Sequence, residues 1–339
     1  MNQIFSKTSL IIFTFLITLM GMSLLTEGLI RIFLPLYNPS GRIAFYSNEE
    51  GLYLGEKNSV LRQWKNTGDF DVSVRINRFG FRDEKNLQSS TEKDWFVVGD
   101  SFSFGWGIEE SDRYSNLLER MLHVRVFNIC VPGDFETYEK LIHYAEKNGA
   151  IIKNLIIGVC MENDLHNYTP AKEPDTSITP ISHSRKLAAI KQWLTSHCAL
   201  YNAVGYIVHQ NNLLRKVAVH LGFVIENFDG LNRNTFSPEI LLSSSKKLAE
   251  IAKNYNTLIV IISSRGLWLS STQETERKVH DTFIQKLKEF NLKVIDLQPF
   301  FEEGGNPLGY HFKNDGHWNQ SGHLKAAQVI EKFIEEEQQ

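Results

Sequence analysis

Cysteine is scarce in this chain of 339 residues, which has three of them. Cys130, Cys160 and Cys198 are too few and too widely spaced for a disulfide framework or a thiolate metal site. We therefore expect small buried apolar side chains at these positions. A bridge between Cys130 and Cys160, which end two predicted strands, is the alternative for an oxidising compartment.

Basic clusters, internal repeats and low-complexity tracts are also missing from the sequence. The net charge is -3 and no long block of lysine and arginine occurs. Neither a phosphate backbone nor an anionic membrane face is therefore an expected partner, and we predict no binding to nucleic acid. With 42% hydrophobic and 22% charged residues, the chain can bury a sizeable core and is expected to form one large domain with appendages.

One long apolar run lies near the N-terminus. Residues 9–26 carry no charge, follow Lys7 and precede Glu27 and Arg31. A helix needs about 20 apolar residues to cross a bilayer, so we predict an uncleaved membrane anchor over residues 1–34. A cleaved signal peptide is the alternative, although the run is long for one and lacks a clear cleavage site. Glu27 and Arg31, one helical turn apart, are expected to pair at the membrane edge.

The next segment, residues 35–94, is rich in turn formers and in short stretches where apolar and polar residues alternate, such as residues 71–76. Alternation of this kind predicts short strands with one buried face. We interpret the segment as a small stalk or apron that precedes a globular domain of residues 95–339.

From residue 95 onward, apolar runs alternate with amphipathic stretches, a pattern typical of βαβ units. The predicted strands are residues 95–98, 124–129, 155–160, 257–262 and 293–297. The predicted helices are residues 111–122, 136–147, 243–255, 272–290 and 321–336. The predicted fold class is α/β, with a flavodoxin-like, doubly wound sheet of five parallel strands.

Residues 165–238 interrupt this alternation. They hold a loop rich in Pro, Ser and Thr over residues 169–184, followed by helical pieces around residues 187–194 and 199–208. We interpret the segment as a helical insertion over the active face. Substrate selection would reside there, because insertions vary while the sheet holds the reacting groups.

A serine follows the first predicted strand of the globular domain. Gly99-Asp100-Ser101 comes directly after that strand, which places the hydroxyl at the edge where α/β sheets carry their chemistry. Such a serine needs a base in order to lose its proton at neutral pH. Taken alone, the tripeptide is a weak signal, since a turn after a strand can have these residues by chance.

Other segments supply the groups that a reactive serine needs. Asp315 and His317 offer an acid and an imidazole, while Asn163 and the amide of Gly133 offer donors to a developing oxyanion. Each has a structural alternative. Asn163 could cap a helix, Gly133 could serve only a turn, and His317 could be a loop histidine bonded to the backbone.

In this combination and order, the segments resemble the four blocks of the SGNH hydrolase superfamily, also called the GDSL esterase and lipase family. The matching segments are residues 99–101, 128–133, 158–164 and 315–317. The resemblance implies that Ser101 is the nucleophile, His317 the acid and base, and Asp315 the group that orients the imidazole. It also implies an oxyanion hole formed by the amides of Ser101 and Gly133 and the side chain of Asn163.

The fourth block departs from the spacing of many family members, in which two residues separate the acid from the histidine. Here Gly316 alone separates Asp315 from His317, and Asn314 occupies the alternative position. Asp315 is the predicted acid, because a carboxylate stabilises imidazolium better than a carboxamide does. The local Asp-x-His-Trp arrangement resembles that of polysaccharide O-acetyltransferases related to alginate acetylation. Residues 77–83 are similar to a segment of membrane-anchored bacterial members.

The resemblance implies a membrane-tethered serine esterase or O-acyltransferase that forms an acyl-enzyme on Ser101 and needs no metal or organic cofactor. With the body outside the cytoplasm, the implied substrates are ester groups, O-acetyl above all, on cell-surface polysaccharide, with lipid or small esters as alternatives. Hydrolysis and transfer share the acyl-enzyme, so both stay open. A different class of hypothesis is a non-catalytic protein that keeps the fold to bind glycan or to scaffold an export assembly.

Overall fold

The computed structural model describes residues 7–38, 43, 45–168, 190–191, 193–224, 237–269 and 273–337. These residues belong to two compact units. We call the first the helical unit; its described residues are 7–38, 64–68, 190–191 and 193–224. The second is the sheet unit, and it contains the remaining described residues.

The sheet unit is organised around five parallel strands. The strands of the described chain are β1 Phe45–Ser47, β2 Tyr53–Gly55, β3 Val60–Trp64, β4 Asp71–Arg75, β5 Trp95–Gly99, β6 Val126–Asn128, β7 Asn154–Cys160, β8 Asn256–Ile262 and β9 Lys293–Asp296. The central sheet has the order β6-β5-β7-β8-β9, and all of its pairs are parallel. This order is that of the flavodoxin-like doubly wound fold, so the predicted fold class is confirmed. Each predicted strand lies within two residues of the observed bounds.

Helices of the sheet unit connect the strands and cover both faces of the sheet. The helices of the described chain, in both units, are α1 Lys7–Phe33, α2 Ser101–Phe104, α3 Tyr114–Leu122, α4 Phe135–Lys147, α5 Ala199–Gln210, α6 Asn212–His220, α7 Pro238–Ala252, α8 Gln273–Glu289, α9 Gln298–Glu302 and α10 Gln320–Glu337. Helix α7 begins five residues before the predicted start at residue 243. The earlier start has a local cause, since the hydroxyl of Ser237 accepts from the backbone of Ile240 and Pro238 occupies the first turn.

The core consists of two apolar clusters, which take alternate residues of the same strands. Phe96, Val98 and Ile157 belong to one cluster, whereas Val97 and Ile156 belong to the other. The first cluster also includes side chains of α4, α7 and α8, and the second includes side chains of α3 and α10. Strands buried on both faces need continuous apolar runs, which is why the sequence indicated them so clearly.

The segment interpreted as a stalk or apron packs within the sheet unit over residues 45–63 and 69–94. Leu54 and Phe81 are buried in the first core cluster, and Val74 and Ile76 in the second. The alternating apolar residues of this segment therefore cover the core of the globular domain. Their burial makes the segment a layer of the sheet unit.

The three cysteines are free. Cys130 and Cys160 are buried, as expected for small apolar side chains, and Cys198 is partly buried. The alternative of a bridge between Cys130 and Cys160 is therefore wrong. Both thiols fill core positions at the ends of buried segments, where burial raises the pKa of each well above its ordinary value.

Helix α1 is long and apolar enough to cross a membrane, over residues Ser9–Phe33, although a signal sequence would satisfy the same criterion. Glu27 and Arg31 form the expected ion pair, with 2.7 Å between Oε1 and Nε. Helix α5 packs against α1 and matches the predicted helical piece at residues 199–208. The predicted loop at residues 169–184 lies outside the described residues.

Candidate active site

Ser101 begins α2, directly after β5 reaches the edge of the sheet. Asp100 caps this short helix, since its Oδ1 accepts from the backbone N–H of Phe102 at 2.9 Å. Gly105 ends it in the left-handed region, with φ of 82°, and a Cβ there would lie 2.8 Å from Cδ of Arg113. The chain thus turns sharply on both sides of the serine, which the glycine makes possible.

The side chains of Ser101, His317 and Asp315 form one hydrogen-bonded series. His317 Nε2 lies 2.8 Å from the Oγ of Ser101, a residue 216 positions away in sequence. The other ring nitrogen, Nδ1, bonds to Oδ1 of Asp315. An imidazole that donates from Nδ1 to a carboxylate presents Nε2 as an acceptor. The structure therefore brings the three side chains predicted as nucleophile, base and acid into one series of hydrogen bonds.

The geometry of the loop explains how Asp315 can bond to the His317 ring with only Gly316 between them. Oδ1 of Asp315 accepts both from Nδ1 of His317 and from its backbone N–H, the latter at 3.0 Å. A Cβ on Gly316 would lie 2.4 Å from Nη2 of Arg265, so the absence of a side chain permits this close approach. Asn314, at the alternative spacing, donates its backbone N–H to Asp69 at 3.1 Å.

Arg265 was not singled out from the sequence. It follows β8, is buried, and its backbone N–H donates to Oε1 of Glu162 at 2.8 Å. The guanidinium of Arg265 lies 3.5 Å from the same carboxylate oxygen. Because this guanidinium packs against Gly316, the Arg265–Glu162 pair supports the loop that joins the acid to the base. A single arginine after an apolar run carries no sequence signal for such a role.

The predicted oxyanion donors follow the ends of three adjacent strands. Ser101 follows β5, Gly133 follows β6, and Asn163 follows β7, and β5 pairs with both other strands. The backbone N–H of Ser101 stands in the first turn of α2, where a helix leaves its N–H groups without intrahelical acceptors. Gly133 lies just before α4, and a Cβ there would lie 2.5 Å from Thr137. The absence of a side chain at Gly133 therefore allows the side chain of Thr137 to lie close to this backbone.

Asn163 bonds to a neighbour of the serine. Its Nδ2 donates to Oδ2 of Asp100 at 3.3 Å, and the hydroxyl of Ser101 lies 3.5 Å from the same oxygen. A carboxamide has two N–H donors, so the contact with Asp100 leaves one for another acceptor. Burial raises the pKa of Asp100, while the nearby imidazole of His317 and the hydrogen bonds from Phe102 and Asn163 oppose the rise. The sequence analysis gave Asp100 no role.

Two buried arginines hold the backbone that follows α2. Arg82 donates from Nη1 to the carbonyl of Gly105 and from Nη2 to that of Ile108, both at 2.5 Å. Arg113 donates to the carbonyl of Arg82 at 2.6 Å. Burial and the charge of Arg113 lower the pKa of Arg82 to about 9. Residues 77–83, noted only as a family-like segment, thus connect to the nucleophile turn through Arg82.

Two aromatic rings flank the imidazole. The ring of Phe102 lies 5.0 Å from that of His317, centre to centre, and Trp106 is stacked against it at 5.8 Å. The sequence analysis assigned these aromatic side chains no role. Apolar rings beside the imidazole limit the access of water and restrict its rotation, which favours a fixed direction for Nε2.

The remaining titratable side chains near the site have structural roles. Asp164 closes the turn after β7 by accepting from the backbone of Cys160 at 2.7 Å and from Tyr138 at 2.9 Å. Burial and the charge of Asp100 raise the pKa of Asp164 well above its ordinary value. Burial lowers the pKa of His311 and of His323 to about 3, so both are neutral at pH 7. Within the described residues, no group of three or more ligand side chains could hold a metal ion.

Solved structures with a similar fold include a lipolytic protein of the G-D-S-L family from Veillonella parvula, with 11% identity, a TM-score of 0.41, and coverage of 71% of this chain and 98% of that one. A catalytic mutant of Axe2, an acetylxylan esterase from Geobacillus stearothermophilus, has 10% identity, a TM-score of 0.42 and coverage of 73% and 96%. The lipase/acylhydrolase from Enterococcus faecalis has 11% identity, a TM-score of 0.41 and coverage of 72% and 96%. No family model and no curated protein matches the sequence.

Proposed function

We propose that this protein is a serine esterase of the SGNH hydrolase type, tethered to a membrane by α1. One observation carries the proposal: the hydroxyl of Ser101 lies 2.8 Å from Nε2 of His317, whose other nitrogen bonds to Asp315. A serine next to an imidazole that is itself oriented by a carboxylate is the arrangement of an activated nucleophile. Chance placement does not account for two such contacts at the carboxyl edge of a parallel sheet.

The reaction follows from this arrangement. Nε2 of His317 takes the proton of Ser101 as Oγ attacks the ester carbonyl carbon, and Asp315 stabilises the imidazolium that forms. When the tetrahedral intermediate collapses, His317 gives its proton to the leaving alkoxide and an acyl-enzyme remains on Ser101. Water, or a hydroxyl of an acceptor, then loses a proton to His317 and attacks the acyl carbon. As the bond between the acyl carbon and Oγ breaks, His317 returns this proton to Oγ of Ser101.

The oxyanion formed in each half-reaction would accept from the backbone N–H groups of Ser101 and Gly133 and from Nδ2 of Asn163. The contact with Asp100 supports this role for Asn163, because one N–H is held at 3.3 Å by a buried carboxylate and the other is left to donate. A donor that is fixed before the reaction loses little entropy when the oxyanion forms. Asp100 thus acts as a positioning residue for Asn163.

The proposed substrate class is O-acyl groups, acetyl above all, on cell-surface polysaccharide, and the second step is hydrolysis or transfer to another hydroxyl. Two features support this choice. The apolar helix α1 would keep the protein at a membrane surface, and the family resemblance implies a body outside the cytoplasm. The Asp315-Gly316-His317-Trp318 segment resembles that of polysaccharide O-acetyltransferases.

The first experiment labels the full-length protein, in detergent, with a fluorophosphonate and measures the hydrolysis of p-nitrophenyl acetate. We expect labelling at Ser101, and loss of both labelling and turnover in Ser101→Ala. Ser103→Ala is the matched control, because Ser103 lies in the same helix but is buried and bonded to Tyr114. Absence of both signals in the unmodified protein would favour the non-catalytic glycan-binding or scaffold hypothesis.

The second experiment tests the substrate. Acetylated polysaccharides are incubated with the unmodified protein or with Ser101→Ala, and their masses are compared. We expect an acetyl-sized loss that depends on Ser101, or an acetyl-sized gain on an added acceptor if transfer is the second step. Equal spectra for both proteins would contradict the polysaccharide substrate while leaving the esterase assignment to the labelling experiment.

A further inference from the structure

Helix α6 has an exposed apolar face. Leu213, Val217 and Leu221 recur every four residues from the start of this helix, so they lie on one side of it. Their side chains are 71%, 50% and 60% exposed, respectively. Lys216 and His220, three residues after Leu213 and Val217, border this face and are exposed as well. A contiguous exposed apolar face on an amphipathic helix marks an interaction surface.

The apolar face continues onto the residues around α6. Gly222 adopts a φ of 74° and ends the helix, which leaves Phe223 with 69% of its side chain exposed. The carbonyl of Phe223 accepts from Nζ of Lys191 at 3.3 Å. Beside Lys191 along the chain, Ile190 and Trp193 are also exposed. The residues that follow α6 therefore contact the residues that precede α5.

The start of α5 is bonded to the C-terminal part of α1. Both carboxylate oxygens of Glu27 cap α5, since they accept from the backbone N–H groups of Ala199 at 2.9 Å and Leu200 at 2.7 Å. Nη2 of Arg31 donates to the carbonyl of His197 at 2.7 Å. Glu27 and Arg31 therefore do more than pair with each other: they fix the start of α5 at the level where the apolar run of α1 ends.

We propose that this apolar patch, formed by Ile190, Trp193, Leu213, Val217, Leu221 and Phe223, docks into the interfacial region of the bilayer that α1 enters. The proposal rests on the membrane anchor and not on the esterase assignment. The ring of Trp193 stacks on that of His197 at 5.0 Å, and the carbonyl of His197 accepts from Arg31, which connects the patch to the helix that would cross the bilayer.

The side chains of the patch suit a lipid surface. Tryptophan is enriched at the membrane interface, where its ring lies among the headgroups. Amphipathic helices bury their apolar faces at that depth. Lys191 is placed beside Trp193 and Phe223, and lysines near apolar surfaces extend their ammonium groups towards the headgroups. Because the chain has no block of basic residues, we expect docking on uncharged phosphatidylcholine without anionic lipid.

The test uses the full-length protein in phosphatidylcholine nanodiscs, with an environment-sensitive NBD label on one introduced cysteine. The background is Cys198→Ser, since Ser also caps a helix and the other two cysteines are buried. Leu221→Cys and Phe223→Cys report on the patch, and Leu16→Cys reports on the anchor. Lys332→Cys, at an exposed position of α10 in the sheet unit, is the control. Doxyl-labelled lipids quench a label that lies in the bilayer.

We expect lipid quenching at Leu221→Cys and Phe223→Cys to be several-fold stronger than at Lys332→Cys, and comparable with Leu16→Cys. Blue-shifted emission at the patch without lipid quenching would mean that protein covers it, and water-like emission would mean that nothing does. Either result overturns the proposal. Turnover of p-nitrophenyl acetate by Leu221→Ser, expected to be unchanged, separates this outcome from a failure of the proposed esterase function.

Discussion

The candidate site has a base side, formed by Ser101, His317 and Asp315, and an oxyanion side, which includes Gly133 and Asn163. The two sides differ in how they are held together. On the base side, Ser101 and His317 are in direct contact although they are 216 positions apart in sequence. On the oxyanion side, Asn163 follows a strand that pairs directly with β5, and it reaches the serine only through Asp100. One side therefore depends on the placement of a C-terminal loop and the other on the register of the sheet.

This difference indicates where the chemistry is vulnerable. The sheet register is fixed by many backbone hydrogen bonds and by apolar burial on both faces. The loop of Asp315 and His317 is fixed by a few polar contacts and by its packing on Arg265. Small changes in the loop should therefore reduce catalysis without unfolding the protein. On the oxyanion side, removal of one donor should cost less, because other donors remain.

The largest effects are expected on the base side. His317→Ala should lower kcat/KM for p-nitrophenyl acetate by about 10⁴-fold or more, and Asp315→Asn by about 10²- to 10⁴-fold, because the imidazole loses its orienting charge. Asn314→Ala is the matched control and should stay near the unmodified value, since Asn314 contacts Asp69. A loss in Asn314→Ala equal to that in Asp315→Asn would contradict the assignment of the acid.

Removal of the side-chain donor on the oxyanion side should have the next largest effect. Asn163→Ala is expected to lower kcat by about 10²- to 10³-fold with little change in KM, because the interaction exists only in the transition state. Asp100→Ala should lower kcat through the lost positioning of Asn163 and the lost cap of α2. An Asn163→Ala variant that loses thermal stability but keeps its kcat would show that Asn163 only shapes the turn.

The parts of the fold that follow from local patterns were predictable from the sequence. Buried parallel strands need apolar runs of five to seven residues, and β5, β7 and β8 have them. Ser101, Gly133, Asn163 and His317 could be found because each belongs to a short motif in a fixed order. In the structure, Ser101, His317 and Asp315 are in hydrogen-bond contact, and their catalytic roles stay predictions.

The supporting contacts could not be predicted in the same way. Arg82 and Arg265 are single basic residues in unremarkable segments, and only the fold shows that both are buried beside the site. Glu27 reads as half of an exposed i,i+4 pair, yet its carboxylate caps a helix that begins 172 residues later, at Ala199. Burial and capping over such distances depend on tertiary packing, which propensity and periodicity do not encode.

A substitution of Gly316 tests whether the loop of the base side depends on its packing against Arg265. In Gly316→Ala, the new Cβ would meet the buried guanidinium of Arg265 at 2.4 Å and displace Asp315 or His317. We expect kcat to fall by about 10- to 100-fold with a small change in melting temperature. Gly304→Ala is the control, because the nearest atom to its Cβ is 3.7 Å away. Equal activity of the two variants would mean that Arg265 does not support the loop.

The smallest effect concerns the pH dependence of stability on the oxyanion side. Burial raises the pKa of Asp164 well above its ordinary value of about 3.9. Between those values the folded protein keeps the proton and the unfolded chain loses it, so the contribution of this group to stability is lost as pH rises.

The carboxamide of the Asp164→Asn variant does not titrate, which makes this variant the reference. In urea unfolding at pH 5 to 8, the stability of the unmodified protein relative to Asp164→Asn should therefore fall with rising pH, until the native carboxyl ionises. A relative stability that rises over this range would show that Asp164 is charged in the fold and stabilised by its bonds to Cys160 and Tyr138.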